Sequence, residues 1–96
     1  MPKAYWIAHV RVDDPDTYKL YATAATEIFP RYGAKVLARG GRHETLEGED
    51  RSRNVVIEFP SMEMAKACWA SPEYQAARAH RLSVSDIHLT LVEAVE

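Results

Sequence analysis

The feature that most limits the fold of this chain is the order of its hydrophobic patterns. Residues 4–12, 34–40, 53–59 and 86–95 have the composition and alternation of β-strands. Residues 15–29 and the stretch after Ser61 instead space their apolar positions as helices do. The order β-α-β-β-α-β predicts a ferredoxin-like α+β fold, with a four-stranded antiparallel sheet and two helices on one face.

Local signals set the expected ends of the helices. Asp14 is suited to the N-cap of the first helix, and Pro30 disrupts its last turn because proline has no backbone N–H. Ser61 is suited to cap the second helix. The pair Ser71-Pro72 predicts that this helix breaks and restarts, and it should end near Arg81.

The segment after the second strand is rich in glycine and charge. Gly40 and Gly41 predict a bend or bulge in that strand. Residues 42–47 are expected to continue it as a polar arm, and residues 47–50 to form a hairpin turn.

Length and charge exclude several classes of protein. The chain has 96 residues, which predicts one domain over residues 1–96, and its net charge of -2 gives no basic face for nucleic acid. Its apolar stretches are too short to span a membrane, and no signal peptide is recognised. Cys68 is the only cysteine, so no internal disulfide or zinc motif is expected. We therefore expect a cytoplasmic protein without a cofactor.

The two faces of the predicted sheet differ in character. The face toward the helices should be apolar and should include Val36 and Ala38. The opposite face mixes large apolar and ionisable residues: Tyr5, Ile7, His9, Leu37, Arg39, Val56, Glu58, His88, Thr90 and Val92. Because such a face is too apolar for water and too charged for a dry core, the pattern predicts a homodimer that packs these faces together.

Several stretches of the chain are also similar to a known family. They are Tyr5-Trp6-Ile7-Ala8, Asp14-Pro15-Asp16-Thr17-Tyr18, Arg39-Gly40-Gly41, the strand from Arg53 to Pro60, and Ser71-Pro72-Glu73-Tyr74. Together they resemble the domain-of-unknown-function 1330 family. The resemblance implies a dimeric α+β barrel, in a superfamily that includes cofactor-independent monooxygenases, haem-degrading enzymes, muconolactone isomerase-like proteins and stress-response proteins. It implies no catalytic residue, because fold membership does not transfer chemistry.

Four residues form the candidate catalytic set. His9, Arg39, Glu58 and His88 are all expected on the face opposite the helices. A histidine near a carboxylate can act as a general base, and an arginine can hold a carboxylate or enolate oxygen. The favoured alternative is an ion-pair network in a dimer interface. Two histidines and a carboxylate could also bind a metal, but no spacing motif supports that.

Two main functions remain open on the sequence. One is an enzyme or binding protein that takes a small aromatic or carbonyl compound in a cleft between sheet and helices. In it, His9 would be the base, Arg39 would hold the anion and Glu58 would orient one of them. The alternative is a non-catalytic dimeric module with a structural, stress-related or regulatory role. A haem or metal protein is a third reading.

Overall fold

The computed structural model of the chain describes residues 2–95. Within these residues, four strands and three α-helices follow one another, and a short 3-10 helix, Phe29–Tyr32, extends the first α-helix. Their bounds are Ala4–Val12 (β1), Pro15–Ile28 (α1), Lys35–Arg39 (β2), Arg53–Phe59 (β3), Met62–Ala70 (α2), Pro72–Ala79 (α3) and Ser85–Glu93 (β4).

The strands form one antiparallel sheet in the order β2-β3-β1-β4. Alternate residues of the central strand β1 are buried, namely Ala4, Trp6, Ala8 and Val10. They belong to the same hydrophobic core as the buried residues of the three helices, so we call this side of the sheet the helix face. The other side is the open face. The predicted ferredoxin-like α+β fold is confirmed.

The break in the second helical segment follows from Ser71 and Pro72. The Ser71 hydroxyl accepts the backbone N–H of Tyr74 at 3.1 Å and donates to the carbonyl oxygen of Cys68 at 2.8 Å. One side chain therefore ends α2 and begins α3. Pro72 has no N–H to continue the earlier helix.

An aromatic cluster fixes the helices over the sheet. The Trp6 ring lies 5.1 Å from Tyr74 and 5.5 Å from Phe29 between centroids, both edge-on. It also stacks on Phe59 at 5.8 Å. These four buried rings join β1, β3, the 3-10 helix and α3, and such pairs stabilise a core beyond the area they bury.

The second strand contains a β-bulge at Leu37. Val36 and Ala38 stand opposite consecutive residues of β3, so Leu37 is an extra residue in the ladder. The side chains of β2 that follow the bulge therefore exchange faces relative to a regular strand.

The bulge corrects two expectations about the faces. Arg39 is opposite Val55 and lies on the helix face, whereas Ala38 is opposite Val56 and lies on the open face. The prediction that Arg39 shares a face with His9 is therefore wrong, as is the prediction that Ala38 faces the helices. Both predictions assumed that side chains alternate strictly between the two faces along β2. The extra residue Leu37 interrupts that alternation.

The connection from β2 to β3 also differs from the expected polar arm. Residues 42–47 are an exposed loop, not a strand. Glu47 and Gly48 do bend the chain where the turn was predicted. Near the end of the loop, Arg51 is buried and donates to the carbonyl oxygen of Asp86 at 2.8 Å, which ties the loop to β4.

Candidate functional site

A narrow cleft lies between α1 and the helix face of the sheet. Trp6 and Val55 line it from the sheet, and Tyr18, Ala25 and Phe29 line it from the helix side. Its volume is about 30 Å³, enough for a water molecule. These lining residues make the wall of the cleft apolar and largely aromatic, as in many sites that bind small organic molecules.

The rim of the cleft is polar. Arg39 Nη1 donates to the Thr26 hydroxyl of α1 at 3.5 Å, a long bond between two exposed side chains. The Arg53 guanidinium lies 5.4 Å from the centre of the Tyr18 ring, within cation–π range. Both arginines line the cleft, and of the two only Arg39 is an exposed residue.

A pair of buried tyrosines lies beside the cleft. The hydroxyls of Tyr21 and Tyr74 are 2.8 Å apart, and Arg81 donates to the Tyr74 oxygen at 3.3 Å. Burial raises the pKa of Tyr21 well above its ordinary value, and Tyr74 adds to the effect. Burial also raises the pKa of Tyr18. Tyr18 and Tyr21 therefore remain neutral phenols at physiological pH.

On the open face, His9 is held in a defined orientation. It lies on β1 between Asn54 of β3 and His88 of β4. The Asn54 Nδ2 donates to the carbonyl oxygen of Arg51 at 3.2 Å, which leaves its Oδ1 to accept from His9 Nδ1 at 2.7 Å. An amide oxygen can only accept, so His9 Nδ1 is the donor in this bond.

The second histidine is bound by the buried Arg51. Arg51 Nη2 lies 3.2 Å from His88 Nε2 and 3.0 Å from Asp86 Oδ2. A guanidinium can only donate, so His88 Nε2 is the acceptor. The hydrogen bond from Arg51 also holds the pKa of Asp86 below its ordinary value.

Glu58 stands apart from the histidines. Its carboxylate accepts a hydrogen bond from the Tyr5 hydroxyl at 3.2 Å and lies 3.6 Å from Lys3 Nζ. Glu58 is four residues from Asn54 along β3, which corresponds to about 13 Å. It therefore cannot orient His9.

Of the four predicted catalytic residues, the structure brings His9 and His88 together. Arg39 lies on the other side of the sheet, and Glu58 lies toward the other end of the open face. The catalytic roles of the four residues stay predictions. The residues themselves do not form one cluster.

Sequence reasoning missed Arg53, Asn54 and Arg51. Alternate residues of a strand share a face, so the place of Arg53 beside Val55 on the helix face could have been predicted from the pattern. In the same way, Asn54 shares the open face with Glu58. Arg51 lies in the loop, where no periodicity indicates its burial.

The histidine pair borders a second depression. A solvent-open concavity of about 620 Å³ is enclosed by the row His9, Asn54 and His88 and by loop residues 43–47, Glu49 and Arg51. The residues described by the structure contain no group of three or more His, Cys, Asp or Glu side chains that could hold a metal ion. Within residues 2–95, no helix is both long and apolar enough to cross a lipid bilayer.

Fold and site together define a small ferredoxin-like α+β protein with an aromatic cleft beneath its first helix. The chain belongs to the family described as domain of unknown function (DUF1330), whose sequence profile matches residues 3–95. The resemblance seen in the sequence is therefore confirmed. No match is found among curated proteins.

Solved structures with the same fold cover nearly the whole chain. The RPA0582 protein of unknown function from Rhodopseudomonas palustris superposes with a TM-score of 0.78 at 23% identity, over 99% of this chain and 84% of that one. A dimeric ferredoxin-like protein of unknown function from Jannaschia sp. CCS1 gives a TM-score of 0.76 at 12% identity, over 96% and 99% of the two chains.

A third similar structure has a described activity. SnoaB, a cofactor-independent oxygenase from Streptomyces nogalater, superposes with a TM-score of 0.73 at 12% identity. The match covers 100% of this chain and 96% of SnoaB. At this identity the likeness establishes the shared fold.

Proposed function

We propose that this protein binds a small aromatic or carbonyl compound in the cleft between α1 and the sheet, and acts as a homodimer. The observation that carries the proposal is an apolar, aromatic wall closed at its rim by Thr26, Arg39 and Arg53. Such a combination orients an organic ring by shape and a polar substituent by hydrogen bonding. SnoaB is an example of small-molecule chemistry on this fold without a cofactor, and it supports the proposal by analogy.

The cleft must widen to admit such a compound, because its volume of about 30 Å³ holds only a water molecule. Arg39 covers the entrance through one long hydrogen bond to Thr26, and both side chains are exposed. Rotation of the exposed Arg39 side chain would uncover the entrance, and separation of α1 from the sheet would then make room for the ring.

The exposed apolar residues of the open face support the homodimer. Leu37 and Val92 are 49% and 45% exposed there, and Ile7 and Val56 are partly exposed between them. An apolar area in the middle of a sheet is suited to a second copy of the same face. The Jannaschia protein, described as dimeric, supports this arrangement.

The experiment uses Trp6 as an internal probe. Trp69→Phe replaces the other tryptophan, which is 40% exposed, and leaves the buried Trp6 in the cleft wall. Titration with acetophenone or salicylaldehyde should change the Trp6 fluorescence in a saturable way. In the same background Ala22→Phe, which fills the cleft, should abolish the change. Ala76→Phe on the exposed side of α3 should leave it intact.

The contrary result is equally clear. If the fluorescence change survives Ala22→Phe in a folded protein, or if no aromatic or carbonyl compound produces one, the cleft is not the binding site.

A second candidate site is favoured by the orientation of His9. His9 lines the concavity on the open face, and Asn54 fixes its ring, as a positioned general base requires. If chemistry occurs there, His9→Gln will abolish consumption of a compound that the protein transforms, and Ala22→Phe will not. The reverse pattern would exclude His9.

A further inference from the structure

Two arginines reach the same rim because of the bulge in β2. Arg39 is opposite Val55, and Arg53 is two residues before Val55 on the same face of β3. Diagonal neighbours on one face of a sheet are about 7 Å apart, a distance that long side chains bridge easily. Both residues line the cleft.

Neither group is neutralised by the chain. Among residues 2–95, no carboxylate oxygen lies within 4.0 Å of Arg39 or Arg53, and the buried Nε of Arg53 has no hydrogen-bond acceptor. By contrast, Arg51 Nη2 lies 3.0 Å from an Asp86 oxygen. Two arginines that line one cleft, one of them with an unused buried donor, leave a site that an anion would complete.

The surrounding residues keep Arg53 in place without a charged partner. A Cβ atom on Gly40 would lie 3.0 Å from Arg53 Nη1, so glycine at this position leaves space for the guanidinium. On its other side, the Tyr18 ring supports it at 5.4 Å. The donor is therefore oriented before any ligand arrives, which reduces the entropic cost of binding.

We propose that the ligand of the cleft is an aromatic carboxylate, with its ring against Trp6 and Phe29 and its carboxylate held by Arg39 and Arg53. Planar guanidinium groups match the two oxygens of a carboxylate. This inference rests on the proposed function, since it requires the cleft to be the binding site.

The test compares two probes that differ in charge. Benzoate and benzamide have the same size and ring, and calorimetric titration gives the affinity of each. Benzoate should bind the native protein at least about tenfold more tightly, because charge-assisted hydrogen bonds are the stronger ones. Arg39→Gln should weaken benzoate about tenfold and leave benzamide unchanged. Arg31→Gln, at an exposed arginine outside the cleft lining, should change neither affinity.

The outcomes separate the two proposals. Equal affinity for benzamide and benzoate would overturn the carboxylate inference but leave the cleft as the site. Failure of both probes to bind at millimolar concentration would contradict both proposals. Arg53→Gln should act like Arg39→Gln, and if it does not fold, Arg39→Gln decides alone, because the Arg39 side chain is exposed.

Discussion

At the scale of single residues, Cys68 shows how burial limits chemistry. The residue is fully buried in α2. Burial raises the pKa of its thiol from 9.0 to about 12, and Glu73 adds to the effect. Because the thiolate is the nucleophile, this cysteine is unreactive in the folded protein at neutral pH.

The raised pKa predicts a pH dependence of stability. Between pH 9 and about pH 12 the unfolded chain loses the thiol proton while the folded chain keeps it. The free energy of unfolding therefore falls as pH rises through this window, and the contribution is fully present below pH 9. Cys68→Ala should be less sensitive to the rise, as urea denaturation at about pH 8 and about pH 11 will show. If the free energies of unfolding of the native protein and Cys68→Ala differ by the same amount at both pH values, the burial argument is contradicted.

At the scale of elements, the join between β2 and the following loop positions the rim of the cleft. Gly40 has a φ of +66°, a conformation that favours glycine, and its N–H donates to the carbonyl oxygen of Asn54 at 3.1 Å. This bond closes the β2–β3 ladder just beyond Arg39. A side chain at Gly40 would therefore strain the backbone and press on Arg53.

Two neighbouring glycines provide a matched test. Gly40→Ala should lower the free energy of unfolding by about 1–2 kcal/mol, from backbone strain and from the contact with Arg53. Gly41→Ala should change it by less than about 0.5 kcal/mol, because nothing lies within 4 Å of the added Cβ. Urea denaturation at neutral pH measures both. Equal effects of the two substitutions would rule out the strain at Gly40.

The elements were predictable because each has a strong local signal. Residues close in sequence determine the alternation in β1 and β3, the cap at Asp14 and the break at Ser71. The bulge at Leu37 has no such signal. The double glycine indicated an irregular strand but not which residue would be extra, and that choice decides the face of Arg39.

The candidate site was harder to predict for the same reason. His9 and His88 lie on unbroken strands, and their cross-strand pairing follows from the fold. The burial of Arg51 and its bonds to His88 and Asp86 depend on how a loop folds back. Contacts of that kind come from tertiary structure, so no local pattern reports them.

At the scale of the whole molecule, the two candidate sites lie on opposite sides of one sheet. A homodimer formed through the open face would cover His9 and His88 and leave the cleft beneath α1 at the outer surface. The histidines would then belong to the interface, as the ion-pair alternative supposed. Dimerisation thus favours the cleft as the site that a ligand can reach.

The dimer is tested at the centre of the open face. Light scattering on the native protein should give twice the chain mass of 10.9 kDa. Ile7→Glu places a charge in the middle of the face and should yield monomers, because an unpaired charge in an apolar interface is costly. Leu20→Glu, at a leucine of α1 that is 56% exposed, should remain dimeric. A monomeric native protein would contradict the arrangement.

The central claim is that a small organic molecule binds beneath α1, and an NMR titration tests it most directly. Proton–nitrogen spectra recorded during addition of acetophenone report on every backbone amide other than proline. The account predicts shifts concentrated at Ala22, Ala25 and Val55, which line the cleft. Shifts confined to His9 and Asn54 on the open face, or no shifts at saturating acetophenone, would contradict it.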